Sequence, residues 1–166
     1  QRIHPQQGAV LLGEEEGGNE RTQEVAGGLV SALNGVINEN DSKKGREVIK
    51  KVISYMTLGM DASPVFSEMC RASFTNDEVM KKMIYFYLTT YAEDNPDLAI
   101  MAVNTFKKDC KHSSPKIRGL ALRSLCSFRS ADYLNNALPL IRELLVDYEA
   151  YVKKTAIMGL LKVFYV

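Results

Sequence analysis

The side chains from which an active site could be assembled are few and poorly spaced in this 166-residue chain. There are two histidines; His4 lies near the start, and Cys110-Lys111-His112 brings one thiol and one imidazole together. Zinc needs four protein ligands in a structural site, or three plus a water in a catalytic one, so this pair has an incidental or structural reading and no metal is expected. No GxSxG, phosphate loop, dinucleotide fingerprint or HExxH occurs, and no catalytic residue or cofactor is assigned. The acid pairs Asp77-Glu78 and Glu93-Asp94 suit a helix cap and a solvated turn.

Two other groupings have the types needed for binding. Lys43, Lys44, Arg46, Lys50 and Lys51 set five cations and one acid, Glu47, at the start of a helical stretch. A helix N-terminus repels cations, so this placement carries a structural cost. A solvated helix face is one account of it; a surface for anionic lipid headgroups is the other. Tyr85, Phe86, Tyr87 and Tyr91 could stack bases or peptides, although their helical spacing fits core packing.

The elements that must hold these residues are helices. From Asp41 onward apolar residues recur at helical spacing, and segments anchored on Ile49, Met80, Ile117 and Val152 repeat one pattern of core positions at offsets 3, 4, 7 and 8. A basic residue follows each anchor: Lys50, Lys81, Arg118 and Lys153. The register predicts buried anchors and following cations whose charged ends stay in water. Partner helices are expected over about Pro64 to Ser73, Pro96 to Lys111 and Ala131 to Asp147, with Ser63, Asn95 and Ser114 capping before a proline. Thr22 is a candidate cap for an earlier helix carrying Val25, Leu29, Leu33 and Ile37, weakened by Gly27, Gly28 and Gly35. The pattern predicts an all-α fold, a right-handed α-α superhelix of ARM/HEAT-type helix-pair repeats over 22–166, preceded by a flexible acidic and Gly-rich tail over 1–21.

Composition agrees with a globular binding module. At 46% hydrophobic and 25% charged the chain is in the ordinary globular range, and the apolar run Leu98 to Val103 is far too short to cross a bilayer. Three cysteines without a CxxC favour free thiols in a reducing compartment. Residues 1–40 carry six acids and two bases, while 41–166 carry fourteen acids and nineteen bases. That surplus is too small and too spread out to indicate a nucleic-acid binder. The apolar stretch Ile157 to Val166 stops where a further repeat would cover it, so the chain is expected to be the N-terminal part of a longer trunk.

The string from Lys50 to Asp61 resembles the first strong helix of beta adaptins. Pro64 to Met69, the helix with Lys81-Lys82 and Tyr85, Tyr87 and Tyr91-Ala92, Pro96 to Asn104, Lys108-Asp109-Cys110 and Arg118 to Ser124 are similar to the same trunk, in order and spacing, from about residue 43 to 166. Pro64 to Met69 and Arg118 to Ser127 look most like the beta chain of adaptor complex 4. The resemblance implies a non-enzymatic scaffold of a heterotetrameric vesicle-coat adaptor, acting in intracellular protein transport. Its implied partners are a second large chain, a medium chain and a small chain, with clathrin reached through parts of the parent outside this chain. It implies a cytoplasmic protein, peripheral on Golgi or endosomal membranes or coated vesicles. It also implies phosphoinositide contact by Lys44, Arg46 and Lys51, to which the basic run adds Lys43 as a lipid-headgroup candidate, and contact of Ile100 and Val103 with an Arf-type GTPase. An importin-like peptide-binding repeat protein is the alternative, disfavoured by the absence of Trp from the chain.

Overall fold

The computed structural model describes residues 24–39, 41–93, 95–128 and 131–165, with the helix backbone alone over 131–136. The expected tail over 1–21 and the Thr22 cap lie outside the described residues. Eight α-helices and no strand occur among those described: α1 (24–39), α2 (Ser42–Thr57), α3 (Phe66–Ala72), α4 (Glu78–Ala92), α5 (Pro96–Asp109), α6 (Pro115–Leu125), α7 (Ala131–Leu144) and α8 (Ala150–Phe164). None is long and apolar enough to cross a membrane.

Local chemistry sets most boundaries. The Asp41 carboxylate accepts from the N–H groups of Lys43 and Lys44 and starts α2, and Asp77 does the same for α4 through Val79 and Met80. Asn95 caps α5, with Pro96 in the first turn. After α2, Gly59 takes φ +80, so that its N–H reaches the Met56 carbonyl and the Met60 N–H reaches that of Tyr55. Two expected caps are not made. The Asp61 carboxylate accepts both the N–H and the hydroxyl of Ser63, and Ser63–Val65 becomes a 3-10 turn ahead of α3. Ser114 makes no side-chain cap, and its N–H donates to His112 Nδ1 at 3.0 Å.

Consecutive helices pair as α1/α2, α3/α4, α5/α6 and α7/α8, and the pairs stack side by side. The first helices α3, α5 and α7 neighbour one another in one layer; α2, α4, α6 and α8 form the second. An Arg71 Nη1 to Asn34 Oδ1 hydrogen bond of 3.1 Å ties α1 to α3. This is a helix-pair solenoid. Its core runs continuously between the layers, from Leu29 and Leu33 through Ile49, Tyr87, Phe106 and Leu122 to Val152 and Ala156. All four anchors, Ile49, Met80, Ile117 and Val152, are buried, so the repeat register is correct. Thr57, at offset 8 in the first repeat, is exposed because α2 ends there.

The cations after the anchors depart from expectation in the two middle repeats. Lys50 and Lys153 are exposed, whereas Lys81 is 1% and Arg118 6% exposed. Each buried cation meets an Asp at or just past the C-terminal end of a first-layer helix. Lys81 Nζ donates to Asp109 Oδ2 at 2.5 Å and to the Ser73 carbonyl at 2.6 Å, and Tyr85 Oη donates to the same carboxylate. Arg118 makes a two-pronged pair with Asp147 at 2.8 and 2.9 Å, and its third nitrogen donates to the carbonyls of His112 and Ser113. A cation therefore enters the interior where a carboxylate and backbone carbonyls at a helix end or in the loop beyond it both accept from it.

Candidate functional site

No described residues converge into a catalytic arrangement, and no group of three or more His, Cys, Asp or Glu gathers among them to hold a metal. Cys70, Cys110 and Cys126 are free and buried. Burial pushes the thiols of Cys70 and Cys126 up to about 11 and that of Cys110 up further, which keeps them protonated and unreactive. Of the aromatic cluster, Tyr85 and Tyr87 are buried and hydrogen-bonded, Tyr91 packs on Tyr87 at 4.8 Å between ring centroids, and Phe86 alone is exposed. No stacking platform forms.

What remains is surface, and its charge is sorted by layer. The helices α2, α4, α6 and α8 expose Lys43, Lys44, Arg46, Lys50, Lys51, Lys82, Lys116, Arg123, Lys153, Lys154 and Lys162, against only Glu47 and the half-exposed Glu78. Among described side chains the other layer balances Arg71, Lys107, Lys108 and Arg142 with Glu24, Glu39, Glu68, Asp97 and Glu143. Helical folding thus collects cations dispersed over about 120 residues of sequence onto one layer.

The N-terminal basic run opens that layer, and its members differ. Lys43, Lys50 and Lys51 are exposed on the outward side of α2. Lys44 pairs with Glu39 at 2.9 Å in the open, an interaction that raises its pKa. Arg46 is committed to Asp77 at 2.7 Å, joining α2 to the cap of α4. Burial alone would push the Asp77 carboxyl up, but the Arg46 hydrogen bond and the N–H groups of Met80 and Val79 outweigh it and hold the pKa below the ordinary carboxylate value. The pair Ile100 and Val103 divides: Ile100 is 56% exposed on α5, and Val103 is 4% exposed and packed in the core.

Comparison with known proteins gives these surfaces a context. Residues 27–166 match the family described as the adaptin N terminal region. The chain belongs to the adaptin family. It is 42% identical over 133 residues to the AP-4 complex subunit beta of Dictyostelium discoideum, covering 80% of this chain and 16% of that protein. It is 46% identical over 127 residues to beta-adaptin-like protein A of Arabidopsis thaliana, covering 76% and 15%. The human AP-1 complex subunit beta-1 is 40% identical over 129 residues, covering 78% and 14%. A chain in a structure described as a homology model of the full-length AP-3 complex in an intermediate open conformation superposes with a TM-score of 0.69 at 25% identity, over 81% of this chain and 22% of that one. This adaptin chain therefore spans only about one sixth of the length of these relatives.

Sequence reasoning found the first basic run because its cations are adjacent. It missed Lys82, Lys116, Arg123, Lys154 and Lys162, which come together only when the second helices align. It also missed the buried pairs, although their separations of 28 residues for Lys81 to Asp109 and 29 for Arg118 to Asp147 repeat one spacing.

Proposed function

We propose that this chain is part of the trunk of the beta-type large subunit of a heterotetrameric vesicle-coat adaptor. In this reading it is a non-enzymatic scaffold in intracellular protein transport, with a second large chain, a medium chain and a small chain as its partners. It works on the cytoplasmic side, peripheral on Golgi or endosomal membranes or coated vesicles. Adaptin membership supports the scaffold role, and the strings Pro64 to Met69 and Arg118 to Ser127 favour the beta chain of adaptor complex 4.

The observation that carries the membrane part is the sorting of exposed cations onto one layer. Each basic side chain near an anionic leaflet contributes about 1 kcal/mol. Lys43, Lys44, Arg46 and Lys51 form the phosphoinositide site in this reading. Lys43 and Lys51 extend outward, while Lys44 and Arg46 must share their charge with Glu39 and Asp77. Co-sedimentation with phosphatidylcholine vesicles containing a phosphoinositide tests it. Binding that weakens with salt and is lost in Lys43→Glu with Lys51→Glu is expected; equal binding by parent and variant sinks the reading.

On the other layer, Ile100 is the residue proposed to meet an Arf-type GTPase, with the exposed Met101 beside it. Val103 shapes that surface from beneath. Ile100→Asp is expected to weaken capture of the GTP-loaded GTPase without changing vesicle binding.

A further inference from the structure

Two of the grooves between second-layer helices differ in their chemistry. Between α4 and α6 a groove of about 410 Å³ is lined by Lys82, Lys116, Leu120 and Tyr151, and Glu78 reaches into it, 3.4 Å from Lys116. Between α6 and α8 a groove of about 280 Å³ has Arg123, Lys154 and Lys162 around Tyr151, Met158 and Gly159, with no carboxylate in its lining. All three cations are exposed, and no carboxylate among the described residues pairs with them.

The floor is apolar because α8 closes on α6 at Gly159, where an added Cβ would stand 2.9 Å from Cys126 Sγ. Successive helix positions are about 100° apart, so Tyr151, Lys154, Met158 and Lys162 share the flank of α8 turned to α6, while the exposed Ile157 and Phe164 leave from the other flank. The groove therefore lies on the flank of α8 away from Ile157 and Phe164.

We propose that the α6–α8 groove binds an acidic segment of a partner protein. One apolar side chain rests on Met158 and Tyr151, and carboxylates on either side of it reach Arg123, Lys154 and Lys162. Charge complementarity selects an anion, since three cations face one groove and no acid among the described residues pairs with them. Tyr151 and Met158 stand half-exposed beside the buried Gly159 and Cys126, an apolar strip that suits a peptide side chain better than a lipid headgroup. This reading does not depend on the phosphoinositide site at α2.

Fluorescence anisotropy on the 166-residue chain tests it, with a labelled peptide of one leucine flanked by aspartates and the same peptide with asparagines. The acidic peptide is expected to bind saturably, about tenfold or more weakened by Arg123→Glu with Lys162→Glu and by Met158→Asp, as for loss of close charge pairs or an anchor. Lys154→Gln should weaken it in the same direction, and Lys43→Glu with Lys51→Glu should leave it unchanged. Equal binding of the two peptides, or a charge-reversed groove that binds like the parent, overturns the proposal. So does absence of peptide binding while the same double variant loses phosphatidylserine vesicles, which would make the groove a lipid contact.

Discussion

Lys81 and Arg118 are held by groups that would be left bare without them. Removing Lys81 leaves Asp109 buried beside Tyr85, so Lys81→Ala should cost about 3 to 5 kcal/mol in urea unfolding, whereas Lys50→Ala, on the exposed side of α2, should stay within about 0.5 kcal/mol. Lys81→Met with Asp109→Asn should recover much of the loss, because the charge and its counter-charge leave together. At the other site the Arg118 hydrogen bond, foremost, holds the Asp147 carboxyl below its ordinary pKa. A depressed carboxylate contributes stability that is complete above its unfolded pKa of about 3.9 and is lost as pH falls through the folded value. Unfolding midpoints should therefore fall below about pH 4, and Asp147→Asn should flatten that decline while lowering stability at neutral pH.

At the scale of the element, glycines have opposite roles in different helices. Gly27, Gly28 and Gly35 are not tightly packed in α1, and a Cβ at any of them would meet nothing within 4 Å. The helix forms despite them because Leu29 and Leu33 are buried against the core. Replacing the three by Ala should stabilise the chain, by up to about 1 kcal/mol at each site on helix propensity, read as a higher melting temperature. Gly159 is the reverse case. Its Cβ would press on Cys126 Sγ at 2.9 Å with Ile141 behind, so Gly159→Val should destabilise by about 1 to 3 kcal/mol through overpacking. Stabilisation by the Gly159 substitution would mean that α6 and α8 are not held at this distance.

For the whole molecule, the solenoid's two layers have different electrostatic characters, and under the proposed membrane role that difference orients it on an anionic surface. Lys51→Glu with Lys82→Glu changes two neighbouring helices of the basic layer and should reduce vesicle binding. Lys108→Glu with Arg142→Glu changes the formal charge equally on the other layer and should leave binding nearly intact. Because these cations are exposed, the difference should shrink above about 0.5 M salt, where the screening length falls to a few ångströms. Equal losses from both double variants in co-sedimentation would show that net charge, without orientation, drives the association.

Periodicity was legible in the sequence because burying one helix face leaves an apolar residue every three or four positions, whatever the helix packs against. It identified the anchors Ile49, Met80, Ile117 and Val152, and order and spacing of whole strings identified the adaptin family. The Asp77 and Asn95 caps were equally local, since a capping side chain bonds within its own first turn, whereas Ser63 bonds back to Asp61 and Ser114 to His112 without capping. The fates of Lys81 and Arg118 were decided in three dimensions: their partners are 28 and 29 residues away, and a lysine facing Asp109 is indistinguishable in sequence from one facing water. Val103 and Ile100 are likewise three residues apart in one apolar run, yet one is core and the other surface, because their directions on α5 matter only once neighbouring helices are in place. The basic layer has the same origin. Its cations belong to four separate helices, and only stacking at one register places them side by side.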